Sequence, residues 1–456
     1  MYKLSKIFLA AFTVTALFFS SCSAPEVEDK KPVGNVEHPE WSKNANIYEV
    51  NIRQYSEEGT FTAFREDLPR LQEMGVKILW LMPIHPIGEK NRKGELGSYY
   101  SVKDYKGINP NYGTEEDFRA LVDEAHEREM RVIIDWVANH TAWDHPWTEN
   151  PDWYELNEDG GFMPPRGTDW TDVIQLDYEN QEMREAMLDA LVYWVRDFDI
   201  DGYRADVAGM VPMDFWNEAR NRLDEIKPVF MLAEDEGPKM HDKAFDMTYA
   251  WSYAHLIRVI AAGNEDLSAL DSLMEVEETK FPDNAYRMYF TTNHDENSWN
   301  GTDPGMYGDN FENFAVLSAT IDGMPLIYNG QESNLDKQLE FFTKDPIEWK
   351  EYEYQPFYTM LLSLKNENEA LWNGEFGGDL TIYNSPENTY AYKREKGDDW
   401  VFVYLNFGGE AVNVPITDYA LPEDASGYEI YSEQLPPEEQ NYFEVAANSW
   451  LLIANE

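Results

Sequence analysis

From about residue 45, short apolar runs alternate with longer stretches whose apolar residues recur three and four positions apart. The runs are "NIYEVNI", "VKILWLMP", "RVIIDWV", "DGYRAD", "VFMLAE", "AFDMTYA", "RMYFTTNHD" and "MPLIYNG". They are too short for helices, bounded by polar or turn residues, and read as strands. Between several of them lie amphipathic patterns such as "EEDFRALVDEAHERE" and "QEMREAMLDALVYWVRDF", with the spacing of helices that bury one face. Eight such runs alternating with helices predict an α/β fold, a closed (β/α)8 or TIM barrel. Two stretches depart from the alternation. After the third run comes "AWDHPWTENPDWYELNEDGGFMPPRGTDW", too long for an ordinary strand–helix loop, and it predicts an excursion at about 141–171. From about residue 375 the pattern switches to alternation with turn signals in "LTIYNS", "TYAYKRE", "DWVFVYLNF", "AVNVPI" and "SWLLIAN", the mark of antiparallel strands. The expected organisation is therefore a barrel over 41–365 and a C-terminal β-sandwich over 372–456.

Charge narrows the function. The net charge is −50 over 456 residues, so nucleic acid and anionic membranes would be repelled, and a neutral substrate is expected. Fifteen Trp and 28 Tyr are more than a core needs, and sugar rings stack well on aromatic faces. At the N-terminus, Lys3 and Lys6 precede the apolar run "IFLAAFTVTALFF", which is too short to span a bilayer as a helix. It ends in "SSCSAPEVEDK", containing Cys22, the chain's only cysteine, which has no internal disulfide partner. Residues 1–22 resemble a bacterial lipoprotein signal with Cys22 as the lipidated residue. The acidic residues after it (Glu26, Glu28, Asp29) resemble the export tag of surface lipoproteins in Bacteroidetes-type bacteria. Residues 23–40, with three prolines, read as a tether. An outer-membrane lipoprotein facing the medium, acting as a monomer, is the expectation.

In a barrel of this kind the site forms at the C-terminal ends of the strands. The third run ends with Asp135 and then Asn139-His140; the fourth with Arg204 and Asp206; the fifth with Glu234; the seventh with His294-Asp295. Any one strand-end Asp could simply cap the next helix. Four strand ends that each carry a carboxylate point instead to one acidic cleft. No Cys/His cluster at zinc spacing and no glycine-rich phosphate loop accompanies them. Two neighbouring carboxyls in different protonation states are what glycoside hydrolysis needs. On a strand, residues i and i+2 face the same side, so Arg204 is expected beside Asp206, favouring its charged form. Glu234, leaving the wholly apolar "VFMLA", is expected to have a raised pKa that suits a general acid.

Over about residues 45–335 the chain resembles glycoside hydrolase family 13, the α-amylase family. The motifs "DWVANH" (135–140), "GYRADVAGM" (202–210), "MLAEDE" (231–236) and "TTNHD" (291–295) occur in order, flanked by "GSYYSVKDYKGINP" and "GMPLIYNGQE". The resemblance implies Asp206 as nucleophile, Glu234 as acid/base and Asp295 as stabiliser of the transition state. It implies that Arg204 holds Asp206, that His140 and His294 bind the sugar in the cleaved subsite, and that Tyr100 stacks under it. Asp135 and Asp104 would be supporting residues. The excursion would correspond to the family's domain B and the tail to its domain C, and the reaction would proceed with retention.

Two departures bear on a calcium ion and on the substrate. The family's Lys-His pair after the nucleophile is replaced by Gly209 and Met210, and the Asp of the domain-B exit motif by Gln175. Asn139, a calcium ligand in the family, is retained. The resemblance implies an endo-acting hydrolase of α-1,4 bonds in starch, glycogen or maltooligosaccharides. The altered leaving-group side is compatible with neopullulanase or cyclomaltodextrinase action, or with transfer to another sugar. A surface protein that only binds glycans would not need the three carboxylates.

Overall fold

The computed structural model describes residues 34–419, 428–431 and 442–455. The signal segment 1–22, with Cys22, and the first part of the expected tether lie outside these residues. All eight expected runs are strands: β1 Ile47–Val50, β2 Ile78–Leu81, β3 Arg131–Trp136, then, after the excursion and its strands β4 His140–Ala142 and β5 Val173–Gln175, β6 Gly202–Ala205, β7 Phe230–Ala233, β8 Met247–Tyr249, β9 Tyr286–Tyr289 and β10 Met324–Tyr328. They close in the order β1-β10-β9-β8-β7-β6-β3-β2, every pair parallel. Parallel strands covered on both faces read as unbroken apolar runs, and almost every residue of these strands is buried. One face of the strands fills the barrel with Trp80, Ile133, Phe230, Leu232, Met288 and Met324. The other meets the helices with Leu79, Val132, Ile134 and Met231. Burying one such side chain contributes roughly 1.5–3 kcal/mol.

The helix Glu115–Glu127 shows how the outer layer is held. Thr114 and Asp117 form a reciprocal capping box at its start, satisfying two otherwise orphan N–H groups. Its buried residues are Phe118, Leu121, Val122 and Ala125, the i, i+3, i+4, i+7 face predicted from the sequence. The helix Gln181–Phe198 starts on the Asn180 cap and ends at Asp199 in the left-handed conformation.

The excursion leaves and re-enters through an antiparallel ribbon of β4 and β5, with His140 opposite Gln175. Its tryptophans divide their roles. Trp147 packs on Trp153 and Tyr105, tying the excursion to the barrel, whereas Trp170 lines the cleft.

The C-terminal region is an antiparallel sheet of order β11-β12-β13-β17-β15, built from β11 Asp379–Tyr383, β12 Thr389–Lys396, β13 Asp399–Asn406, β15 Tyr428–Ile430 and β17 Ser449–Asn455. The pair β14 Val412–Pro415 and β16 Tyr442–Val445 packs Val414, Phe443 and Val445 against Phe402, Tyr404 and Ile453 of that sheet. At the opposite end of the barrel from the cleft, His38 stacks on Tyr286 with ring centroids 4.1 Å apart and bonds Asp246 at 2.8 Å. The last residues of the segment read as a tether are therefore docked onto the barrel.

Candidate active site

The C-terminal ends of the strands surround a cleft of about 500 Å³ lined by Tyr100, His140, Asp206, Glu234 and Asp295, among others. Behind this lining lie Asp135, Arg204 and His294, all buried.

Arg204 organises the site. The pleat puts it beside Asp206, and register pairs it with Asp135 on β3 and Leu232 on β7. Its Nη1 donates to Asp135 Oδ1 and to Asp206 Oδ1, both at 2.9 Å. Its Nη2 lies 3.0 Å from Glu234 Oε2, and its Nε donates to Tyr249 Oη at 3.2 Å. A buried guanidinium is tolerated only when it is paired and hydrogen-bonded in this way. Glu234 Oε2 also accepts the Val207 N–H at 2.6 Å. Val207 has φ 37°, a left-handed conformation rare for a β-branched residue. That strained backbone aims the amide at Glu234, and strain of this kind clusters at functional sites.

A second chain of contacts starts at Glu49, the one charged residue inside β1. Its Oε1 lies 2.5 Å from His294 Nδ1; His294 Nε2 lies 2.7 Å from Tyr100 Oη; and Tyr100 Oη donates to Asp135 Oδ2 at 3.1 Å. Burial depresses the His294 pKa, but the carboxylates of Asp295 and Glu49 outweigh it and bring it to about 9. At neutral pH His294 is an imidazolium that donates from both nitrogens. It lies buried behind Tyr100, outside the cleft lining, with its Nε2 turned to the tyrosine hydroxyl. His140 behaves in the opposite way. Burial lowers its pKa to about 4, and its Nδ1 accepts from Asn139 Nδ2 at 3.2 Å. The neutral ring then carries its proton on Nε2.

Burial raises the pKa of Glu234 to about 7, against the Arg204 guanidinium and with help from Asp206 and Asp295. Burial raises Asp206 to about 7 too, with Arg204 opposing it, and Asp135 to about 6. The sequence reading separated an anionic Asp206 from a raised Glu234. The structure does not, because Arg204 serves three carboxyls and Asp206 is as buried as Glu234. With Arg204 shared among three carboxyls and burial disfavouring their charge, Asp135, Asp206 and Glu234 are raised together and titrate as one group.

Asp104 is not part of the site. It is exposed and its Oδ1 accepts the Lys106 N–H at 2.9 Å, closing a turn that points away from the cleft into a separate groove. The sequence reading did not identify Glu49, Tyr249, Val207 or the rim residues Trp299 and Phe341. Glu49 alone left a signal, as a lone charge in an apolar strand.

The residues at the expected calcium position do not fit that ion. Gln175 Nε2 donates to Asn139 Oδ1 at 2.9 Å, to Asn139 O at 3.1 Å and to Leu176 O at 3.1 Å. Two of these acceptors are backbone carbonyls, so the amide must present nitrogen to them. An N–H donor thus occupies the centre of an oxygen cluster, where calcium would need several oxygens and usually carboxylates. Among the described residues no group of three or more His, Cys, Asp or Glu is arranged to hold a metal.

Residues 39–164 and 168–369 match the catalytic domain of alpha-amylase. Among curated proteins the chain is 28% identical to alpha-amylase MalA of Haloarcula japonica over 419 residues, 86% of this chain. It spans only 59% of that relative's length. It is 26% identical to the maltogenic alpha-amylase of Bacillus acidopullulyticus over 85% of this chain and 69% of that protein. Among solved structures, an alpha-amylase from Lactobacillus plantarum superposes with TM-score 0.79 at 31% identity, covering 91% of this chain and all of the other. A noncanonic maltogenic alpha-amylase from Thermotoga neapolitana does so with TM-score 0.76 at 29% identity, over 91% of this chain and 97% of the other. With its barrel, its ordered motifs and these matches, the chain belongs to the α-amylase family, glycoside hydrolase family 13.

Proposed function

We propose that the protein is a retaining, endo-acting α-glucan hydrolase that cuts α-1,4 bonds, with Asp206 as nucleophile and Glu234 as acid/base. The observation that carries this is the shared guanidinium. Asp206 and Glu234 both lie within 3.0 Å of Arg204 and both face the cleft. One guanidinium thus gathers both carboxyls at the strand ends, and retention, through a covalent glycosyl-enzyme on Asp206, is the course that the α-amylase resemblance implies. Oδ1 of Asp206 and Oε2 of Glu234 are engaged by Arg204, and Oε2 also by Val207, leaving Oδ2 and Oε1 for chemistry. Asp206 Oδ2 attacks the anomeric carbon while Glu234 Oε1–H protonates the departing glycosidic oxygen. Water then enters and gives its proton to Glu234, and its oxygen replaces Asp206 on the sugar. Asp295, at the cleft edge, hydrogen-bonds the sugar hydroxyls as positive charge develops on the ring.

A second reading, maltogenic or neopullulanase-like hydrolysis or transfer to another sugar, draws on the leaving-group side. Gly209 carries no side chain, and Met210 beside it is exposed. No lysine reaches the departing sugar from there, and the relatives include a maltogenic amylase. The test takes the protein from residue 23 onward, with Asp206→Asn as control, on soluble starch, glycogen, pullulan and a cyclodextrin. Early mixed maltooligosaccharides from starch, absent with the variant, are expected. Preference for pullulan or cyclodextrin moves the assignment to the second reading. No product from any of them, with the protein folded, overturns both. We also propose that Cys22 carries a lipid that anchors the enzyme to the outer membrane. Replacing Cys22 with Ser should move the protein to the soluble fraction, and an unchanged membrane fraction would refute the anchor.

A further inference from the structure

We infer that Trp299, backed by Phe341, is a stacking platform for the second sugar ring on the glycone side of the cleft. The inference rests on the α-glucan reading above and assigns a residue that determines chain-length specificity.

Trp299 is 58% exposed, the most exposed of the large apolar side chains among the described residues. An indole left in water gains by being covered. Its surroundings are built rather than incidental. It sits on the segment Glu296–Asn300 that follows Asp295, and it lines the same cleft as the carboxyls. Its ring lies 5.4 Å from Phe341, tilted by 37°. The Phe341 ring in turn lies nearly parallel to that of Tyr100, at 12° and 6.3 Å. One continuous aromatic floor thus runs from Tyr100, under the sugar being cleaved, out to Trp299 at the rim.

Topology fixes which side of the cut this floor serves. Glu234 follows β7, and Met210 follows β6. Tyr100, Trp299 and Phe341 follow β2, β9 and β10, which lie around β1 on the other arc of the barrel. Glu234 protonates the leaving oxygen, so the departing sugar lies toward β6 and β7. The aromatic arc therefore receives the part of the chain that stays bound. A sugar ring has apolar axial faces that pack on an indole while its equatorial hydroxyls remain in water.

The test uses α-glucosyl fluoride, with one ring, and α-maltosyl fluoride, with two, so that only the second reaches Trp299. In Trp299→Ala, kcat/KM for α-maltosyl fluoride is expected to fall about tenfold, a loss in the range of one aromatic contact. That for α-glucosyl fluoride stays unchanged, and Trp299→Phe restores most of the loss. Equal losses on both fluorides, or none on either, overturn the platform. Wild-type turnover of α-maltosyl fluoride checks the α-glucan reading separately. Should there be none, quenching of tryptophan fluorescence by maltotriose in Asp206→Asn still reports on the platform. A maltotriose affinity about tenfold weaker in Asp206→Asn/Trp299→Ala than in Asp206→Asn supports it, and an equal affinity, reported by Trp170 of the same cleft, overturns it.

Discussion

The carboxyl pair Asp206 and Glu234 depends on burial as much as on the arginine between them. Burial brings both to about 7, and the proposed mechanism needs one ionised and the other protonated. Below this range both carry protons and the nucleophile is lost; above it both are ionised and no acid remains. The expected kcat/KM profile is a bell near neutrality whose two limbs belong to the pair. Glu234→Gln tests the alkaline limb. General acid catalysis contributes roughly 10²–10⁴-fold, so starch hydrolysis should fall by that amount. In kcat/KM, which reports the first step alone, α-maltosyl fluoride, whose leaving group needs no proton, should lose far less and keep its value at high pH, while its kcat falls because Glu234 is also the base of the second step. An equal loss on both substrates would remove Glu234 from the acid role. Stability has its own sign. Carboxyls raised above their unfolded values bind more protons in the folded state, so their contribution is lost as pH rises from about 4 to about 7.

At the scale of elements, the approach of β6 to β7 decides where Arg204 and Asp206 stand. Gly202 opens β6 with φ 147°, and a Cβ there would lie 1.9 Å from Phe230 O and 2.8 Å from Phe230 N. Both obstacles are backbone, so nothing can swing aside. Gly202→Ala should push the strands apart, cost roughly 1–3 kcal/mol from overpacking and add backbone strain. It should also lower activity at temperatures where the variant is still folded, because Arg204 is two residues along the same strand. A denaturation midpoint equal to the wild type would show that β6 has room that this geometry denies. The eight strands were legible in the sequence because strands buried on both faces leave uninterrupted apolar runs. The strand-end carboxylates were legible because each stands at the end of such a run or just beyond it. Contacts across long separations were not. Glu49 meets His294 from 245 residues away, and no local pattern announces it. Asp104, a supporting residue on the resemblance, stands on a turn outside the cleft, because spacing along the chain does not encode which way a loop turns. The equal burial of Asp206 and Glu234 also depends on what packs around them, which one strand's composition does not report.

The whole molecule carries 86 acidic side chains against 36 basic ones, and this imbalance governs its response to salt. Many cations are already in local pairs, such as Arg222 with Glu185 and Glu218, and Lys227 with Asp199 and Asp201. Even with every cation paired, a surplus of 50 negative charges remains. Its self-repulsion opposes the compact state and reaches farther at low ionic strength, with a Debye length of ~30 Å at 0.01 M and ~3 Å at 1 M. Screening also weakens exposed ion pairs, but each of these contributes only about 0–1 kcal/mol. Buried pairs such as Arg204 with Asp135 are screened much less. The balance predicts that Tm rises by several degrees between ~0.01 M and ~1 M NaCl, most of it below ~0.3 M, where the Debye length shortens fastest. Sodium chloride and potassium chloride at equal ionic strength should coincide if screening is the cause. A rise seen only in sulfate would point instead to salt exclusion from the surface. A Tm that falls with added chloride would mean that the exposed ion pairs, not the surplus charge, dominate the electrostatics of the fold.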